Sequence, residues 1–388
     1  MRLKFTSIKM FFVKVKDKLL SFYPIKYVQK SIYYRSFSNG ISLMEKKKNR
    51  MELLGREFNF ENSFDMFNEN EIDTIKNALN SREKSSQQRI SEECFLQHGV
   101  YPISFSIPRI IVEKPIEKNL LVSDVKPSIP YSFLDEEDYL HQYERSSYAL
   151  SFKKGGWDCF RHLEIMASGS IPLMPDASQI PDYTMTHYPK RFLQLMAKDL
   201  TLLKTPPGIV QDLLISWVKE CLTSQKMAEY MLSTANCDSG NLVFIDLEIG
   251  NRCDYLGVMT LIGLKQLMGK KVTSLVKCDY IYEDYIGDTR LLYGRGFGYT
   301  KILNPEVREK EANVDTSNLD EVVDYVEQFG TIVINMRESN VEVAIALNKS
   351  RVSSKIIYLW GGDISMTKSQ MRKKLRNFEG VHFCREIY

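Results

Sequence analysis

The sequence predicts an α/β fold of Rossmann-like parallel sheets, and three observations support this reading. In the second half of the chain, apolar runs of strand length alternate with helical patterns, the order that β-α-β units require. In the first half, the apolar stretch from Tyr148 to Phe152 meets the pair Gly155-Gly156 and then a helical pattern to Ser168, a strand-turn-helix unit of the same kind. Residues 1 to 50 stand apart: thirteen Lys/Arg face only Asp17 and Glu45, so this arm is about +11 and the rest about −8, which together make the net +3.

The elements follow in order. In the arm, Phe5, Ile8, Phe12, Val15, Leu19 and Phe22 recur at helical spacing, with the lysines largely off that face until Pro24. This predicts a basic amphipathic helix over residues 1 to 23, able to lie on an anionic membrane surface or to dock on the body of the protein. The lysines break the apolar run too often for a signal peptide. Residues 51 to 98 are polar and read as linker or exposed helix, as in the run Ser81 to Gln88. Residues 99 to 238 read as a first lobe. Ile103 to Pro108 alternates like a strand, Leu120 to Ser123 is a second candidate, and the acidic run Asp135 to Asp138 opens a helix through Arg145, because carboxylates favour a helix N-terminus. After Ser170 to Leu173, a strand, a helical region runs from Lys190 to Ala235, broken at Pro206-Pro207-Gly208. Residues 239 to 388 read as a second Rossmann-like lobe, with strands at Leu242 to Asp246, Lys271 to Val276, Thr331 to Asn335 and Ile356 to Leu359, and a helix from Gly257 to Met268.

Composition excludes several classes. At 44% hydrophobic and 26% charged the chain reads as soluble, and no apolar run approaches the about 18 residues of a spanning helix. The seven cysteines are odd in number and lack metal-ligand spacing, which predicts reduced thiols, a cytoplasmic setting and no metal site. No basic, aromatic-lined groove is visible, so no nucleic-acid partner is expected.

The densest chemistry lies in Ser151 to Pro172, which combines Lys153-Lys154, Gly155-Gly156, Asp158, an Arg161-x-x-Glu164 step and a Gly169-Ser170-Ile171-Pro172 exit. A strand, a glycine turn and a helix N-terminus favour an anion through free amides and the helix dipole. Lys153, Lys154 and Arg161 add formal positive charge, with Arg offering planar, bidentate donors. Arg161 and Glu164 lie one turn apart and project together, leaving Glu164 suited to accept bonds from sugar or ribose hydroxyls. His162 and Cys159 read as core, and Trp157 as packing or as a lid.

The run from Lys153 to Pro172 resembles the donor-lobe signature of exostosin-like glycosyltransferases of the two-lobed GT-B type, found in bacteria and large viruses. The resemblance implies a nucleotide-diphosphate-sugar site, with Arg161 near the diphosphate and Glu164 near the ribose or sugar, and a glycan or glycolipid acceptor. Asp254 to Gly257, Leu292 to Thr300 and His382 to Glu386 are similar to the acceptor-side lobe, which here follows the donor signature, so that the chain is permuted or carries an incomplete second unit. The Glu-x7-Glu pair of many retaining GT-B enzymes would need an acid at Gly156, where the nearest carboxylate is Asp158.

The resemblance thus implies a GT-B-like two-lobed glycosyltransferase that needs neither metal nor cofactor and stabilises the departing diphosphate with Lys153, Lys154, Arg161 and helix-end amides. Asp246, Glu248 and Asp254, after the first strand of the second half, are the candidate general bases, because ligands of α/β sheets sit at strand C-termini. Arg295, between Gly294, Gly296 and Gly298, is a candidate acceptor or ligand loop. A non-catalytic nucleotide-sugar-binding scaffold at membranes is the alternative. A methyltransferase cofactor loop at Asp246 to Gly250 is a third reading, weakened by the absence of a second glycine.

Overall fold

The strand Leu242–Ile245 is buried along its whole length, and so is Thr331–Asn335 beside it. Strands covered on both faces read as unbroken apolar runs, the mark of a parallel sheet under helices. The computed structural model describes residues 66–108, 117–125, 133–197, 204–237, 240–309, 312–364 and 366–388, all within the compact unit Glu61–Tyr388. The basic arm expected over residues 1 to 50 lies outside the described residues.

In chain order the elements are α1 (Glu69–Ala78), α2 (Ser81–His98), β1 (Tyr101–Pro102), β2 (Leu120–Val122), α3 (Glu136–Glu144), β3 (Ser146–Leu150), α4 (Phe160–Ala167), β4 (Ile171–Leu173), α5 (Lys190–Met196), α6 (Gly208–Trp217) and α7 (Ser224–Thr234). They continue with β5 (Leu242–Ile245), α8 (Tyr255–Met268), β6 (Val272–Ser274), α9 (Leu319–Val326), β7 (Thr331–Asn335), α10 (Val341–Ser350), β8 (Lys355–Trp360), α11 (Lys368–Leu375) and β9 (Val381–Cys384). Helix starts follow side-chain chemistry. Asp135 accepts from the amides of Glu137 and Asp138 to cap α3, Asp254 accepts from Gly257 to cap α8, and Thr367 with Gln370 forms a capping box on α11.

Two parallel sheets result. The larger has the order β1-β9-β8-β7-β5-β6 and the smaller the order β2-β3-β4. β5 lies between β6, which follows it, and β7, so the chain leaves β5 first to one side and then to the other. In open parallel sheets such a reversal opens a crevice at the strand C-termini. The main core joins β5, β7 and β8 to α9 and α10 through residues such as Ile245, Ile334, Val322, Leu347 and Tyr358.

The structure departs from the sequence reading at several points. Ile103 to Pro108 is not a strand: the chain makes the short β1 instead, whose edge pairing with β9 matches Tyr101 to Phe383, and Ile107 forms one bridge to Thr223. Of the two readings of Ser81 to Gln88, linker or exposed helix, the structure shows the helix, as the start of α2. β9, not expected as a strand, extends the larger sheet. The expected boundary between residues 238 and 239 is crossed repeatedly, since β1 belongs to the larger sheet and Phe297 joins Tyr139, Tyr143, Ala149 and Ile165 in a small core beside β3.

Candidate functional site

The glycine turn after β3 forms, but it already holds anions. A Cβ on Gly155 would collide with Oδ2 of Asp363, and one on Gly156 with Oε1 of Glu386. The Glu386 carboxylate accepts from the Asp158 amide at 2.9 Å and from that of Trp157. The two amides that follow the glycine pair, those of Trp157 and Asp158, therefore bind an internal carboxylate, by the same physics that favours a phosphate at a helix N-terminus. Arg385 completes the cluster. Only 1% exposed, it donates to the Asp158 carbonyl at 2.5 Å, to Gly361 O at 3.0 Å, to Glu386 Oε1 at 3.3 Å and to Asp363. Burial pushes the Glu386 carboxyl up to about 7 against the pull of Arg385.

Asp158, assigned to the donor, serves structure instead. Its carboxylate is buried and accepts from the Phe105 amide at 2.6 Å and the Tyr188 hydroxyl at 2.8 Å. These bonds hold Trp157 and Asp158 out of the helix, so α4 begins at Phe160 with Cys159 as an N-cap lacking a side-chain bond. His162 fastens the turn to α4. It meets Ser151 Oγ at 2.7 Å through Nδ1 and the Trp157 carbonyl at 3.0 Å through Nε2. Burial lowers its pKa to about 3, so the ring is neutral and structural, as the sequence suggests for it and for buried Cys159.

Arg161 and Glu164 do stand together on the first turns of α4. Glu164 is 6% exposed and accepts from the Tyr139 hydroxyl at 2.7 Å. Burial raises its carboxyl to about 7, opposed by that bond and by the charges of Arg161 and Lys154. Arg161 Nη1 is buried and makes no hydrogen bond. Lys153 lies over the Trp157 ring at 4.9 Å. One acid was missed from sequence: Glu136, at the start of α3, accepts from the Gly298 amide at 2.6 Å, and burial together with the nearby Glu164 charge raises it to about 7. The signal was present in the acidic run Asp135 to Asp138, which also satisfies a helix N-terminus.

The three candidate bases of the second half come together at the β5/β7 reversal. Asn335 donates to Asp246 at 2.8 Å and to Asp254 at 2.9 Å. Arg337 pairs with Glu248 at 2.5 Å, Asp246 at 3.5 Å and Asp254 at 3.7 Å. Asp246 is fully buried, and its carboxyl is raised by burial despite these partners. The Arg337 guanidinium thus faces all three carboxylates, and the side-chain amides of Asn335 and, at 3.4 Å from Asp246, Asn340 hold the two aspartates. Among the described residues no group of His, Cys, Asp or Glu comes together to hold a metal.

Two helix N-termini meet at the junction between the sheets. Phe160 of α4 stacks on Tyr255 of α8 with ring centroids 4.1 Å apart. The glycine-rich loop closes over this pair, and its residues Gly294, Arg295, Gly296 and Gly298 all have positive φ. Arg295 donates to Phe133 O at 2.5 Å, fixing the loop to the segment before α3. A hollow of about 430 Å³ lies elsewhere, between the end of α2 and α11. No protein-family model, no curated protein and no solved structure matches this chain.

Proposed function

We propose that this protein is a glycosyltransferase of the two-lobed GT-B type that moves a sugar from a nucleotide-diphosphate donor to a hydroxyl of a glycan or glycolipid. The observation that carries the reading is the buried Arg161 Nη1 without a hydrogen bond, one turn from a carboxyl raised to about 7. A buried guanidinium N–H left unpaired is costly, and an anionic ligand would satisfy it. In the reaction the bond from the anomeric carbon to the diphosphate breaks and its electron pair leaves with the phosphate oxygen, whose charge Arg161 and Lys154 stabilise. The acceptor oxygen bonds to that carbon and its proton passes to a carboxylate. Glu136 suits this last task better than Asp246, Glu248 or Asp254: it titrates near neutral pH, is more exposed than Glu164 and is free of cationic locks such as Arg337.

One observation favours the other reading, a nucleotide-sugar-binding scaffold: Asp363 and Glu386 fill the space at the glycine turn. Calorimetric titration with nucleoside diphosphates and a donor-consumption assay over a panel of nucleotide sugars separate the two. Arg161→Ala should weaken diphosphate binding by about tenfold or more, the loss of one or two charge-assisted hydrogen bonds. Glu136→Gln should keep binding and lose turnover. Unchanged diphosphate affinity in Arg161→Ala overturns the reading, and binding without consumption of any donor supports the scaffold.

A further inference from the structure

Lys368, Arg372 and Arg376 recur every fourth residue along α11 and its C-cap, so they form one stripe, with Lys373 beside it. All four side chains are exposed, and none forms an ion pair among the described residues. Like charges one turn apart repel and weaken a helix. The helix is held by its capping box and by buried Met371, so the fold tolerates the stripe without neutralising it.

Apolar surface adjoins the stripe. Phe95, Leu96, His98, Arg372, Leu375 and Arg376 line the same open hollow of about 430 Å³, and Leu96 is 83% exposed. His98 is 6% exposed, and its Nδ1 is buried with no hydrogen-bond partner. Burial and the charges of Lys368 and Arg372 lower the pKa of that ring. The acids nearby form no ion pair with the stripe: Glu93, exposed, accepts from the neutral Gln97 and Tyr183, Glu92, exposed, accepts from Gln88, and Glu379 follows α11.

We propose that α11 and the end of α2 form a docking surface for an anionic phospholipid bilayer, with the stripe on the headgroup phosphates and Leu96 inserted between them. Cations flanking an exposed aliphatic side chain match the charged, half-apolar interface of a bilayer. A single-stranded nucleic acid fits less well, because it needs free aromatic faces for its bases. The Phe95 ring, 43% exposed, has one face already stacked on Tyr101, 4.6 Å between centroids. This surface is distinct from the α4 site and does not depend on the reaction proposed for it.

The test is co-sedimentation of the full chain, arm included, with phosphatidylcholine vesicles with and without phosphatidylserine. Arg372→Gln/Arg376→Gln should lower partitioning onto the anionic vesicles about 25-fold, about fivefold per cation, and Leu96→Asp should lower it as well. Arg372→Lys/Arg376→Lys should retain binding, and Lys368→Gln/Lys373→Gln repeats the test if the first pair fails to fold. Wild-type partitioning of both glutamine pairs overturns the proposal. So does a Leu96→Asp variant that binds vesicles normally while the glutamine pairs lose vesicles and a single-stranded oligonucleotide alike.

Discussion

Alanine at Gly156 puts a methyl group where Glu386 sits. Its Cβ would overlap Oε1, lie 2.7 Å from Cδ and stand 3.1 Å from Arg385 Nη1. The carboxylate has little room to retreat, being 1% exposed and wedged against an arginine that is equally buried. Overpacking costs about 1–3 kcal/mol, and loss of a charge-assisted bond to Asp158 N about 1.5–3 kcal/mol. The expected total of about 2.5–6 kcal/mol brackets the roughly 3–5 kcal/mol for breaking a buried ion pair. At roughly 2 °C per kcal/mol for a unit of this size, Tm should fall by about 5–12 °C. Thermal unfolding beside Gly362→Ala measures this, since a Cβ there meets nothing within 4 Å and should shift stability by less than about 0.5 kcal/mol. Glu386→Ala added to Gly156→Ala removes the collision, so the double variant should be less destabilised than the sum of the singles. If Gly156→Ala melts with Gly362→Ala, the turn is not packed against the carboxyl-terminal segment.

Two further perturbations probe the acids. Glu164 is held at about 7 against an ordinary 4.5 by burial, so its protonated form stabilises the fold and that contribution fades as pH rises from about 4.5 to about 7; ionising it costs up to about 3 kcal/mol. Glu164→Gln keeps an acceptor for Tyr139, so urea midpoints at pH 5 and pH 8 should show the variant gaining on wild type at the higher pH, and an equal difference at both refutes this. Glu136 and Glu386 titrate in the same window, and His162 opposes them because it loses stability as pH falls below 6.5, so only the difference between variant and wild type is diagnostic. Arg337→Ala leaves fully buried Asp246 beside Asp254 with only amides for partners and should cost about 3 kcal/mol in urea unfolding without altering diphosphate binding at α4; a loss under about 0.5 kcal/mol refutes the locking role.

Much of the fold was legible because burial writes itself into local composition. β5 and β7 are covered on both faces and appear as unbroken apolar runs, α3 begins where Asp135 and three acids suit a helix N-terminus, and the helical region breaks at Pro206-Pro207-Gly208, before α6. β1 and β9 were missed for the opposite reason. Each is short, and β1 exists only because Tyr101 and Pro102 meet Phe383 and Cys384 from the far end of the chain. Pairing across that separation leaves no trace in a local window. The start of α4 misled in the same way, since partners at Glu386, Phe105 and Tyr188 decide where Trp157 and Asp158 lie.

The site shows how far local chemistry reaches. Spacing alone brought Arg161 next to Glu164, and the strand end brought Asp246, Glu248 and Asp254 into one cluster, but neither pattern named Arg337 or Asn335, which decide that the three acids are held rather than poised. The glycine turn is the clearest case. Free amides, a helix N-terminus and nearby cations specify an anion, and the same field that attracts a phosphate attracts a carboxylate already on the chain. Glu386 and Asp363 arrive with no translational entropy to lose, so they take the turn ahead of a dilute ligand. Outside that turn, Arg161 Nη1 has no hydrogen bond, and Glu136 and Glu164 titrate near neutral pH. The diphosphate of the donor proposed above is therefore placed, in that proposal, against Arg161 and Lys154 rather than in the glycine turn.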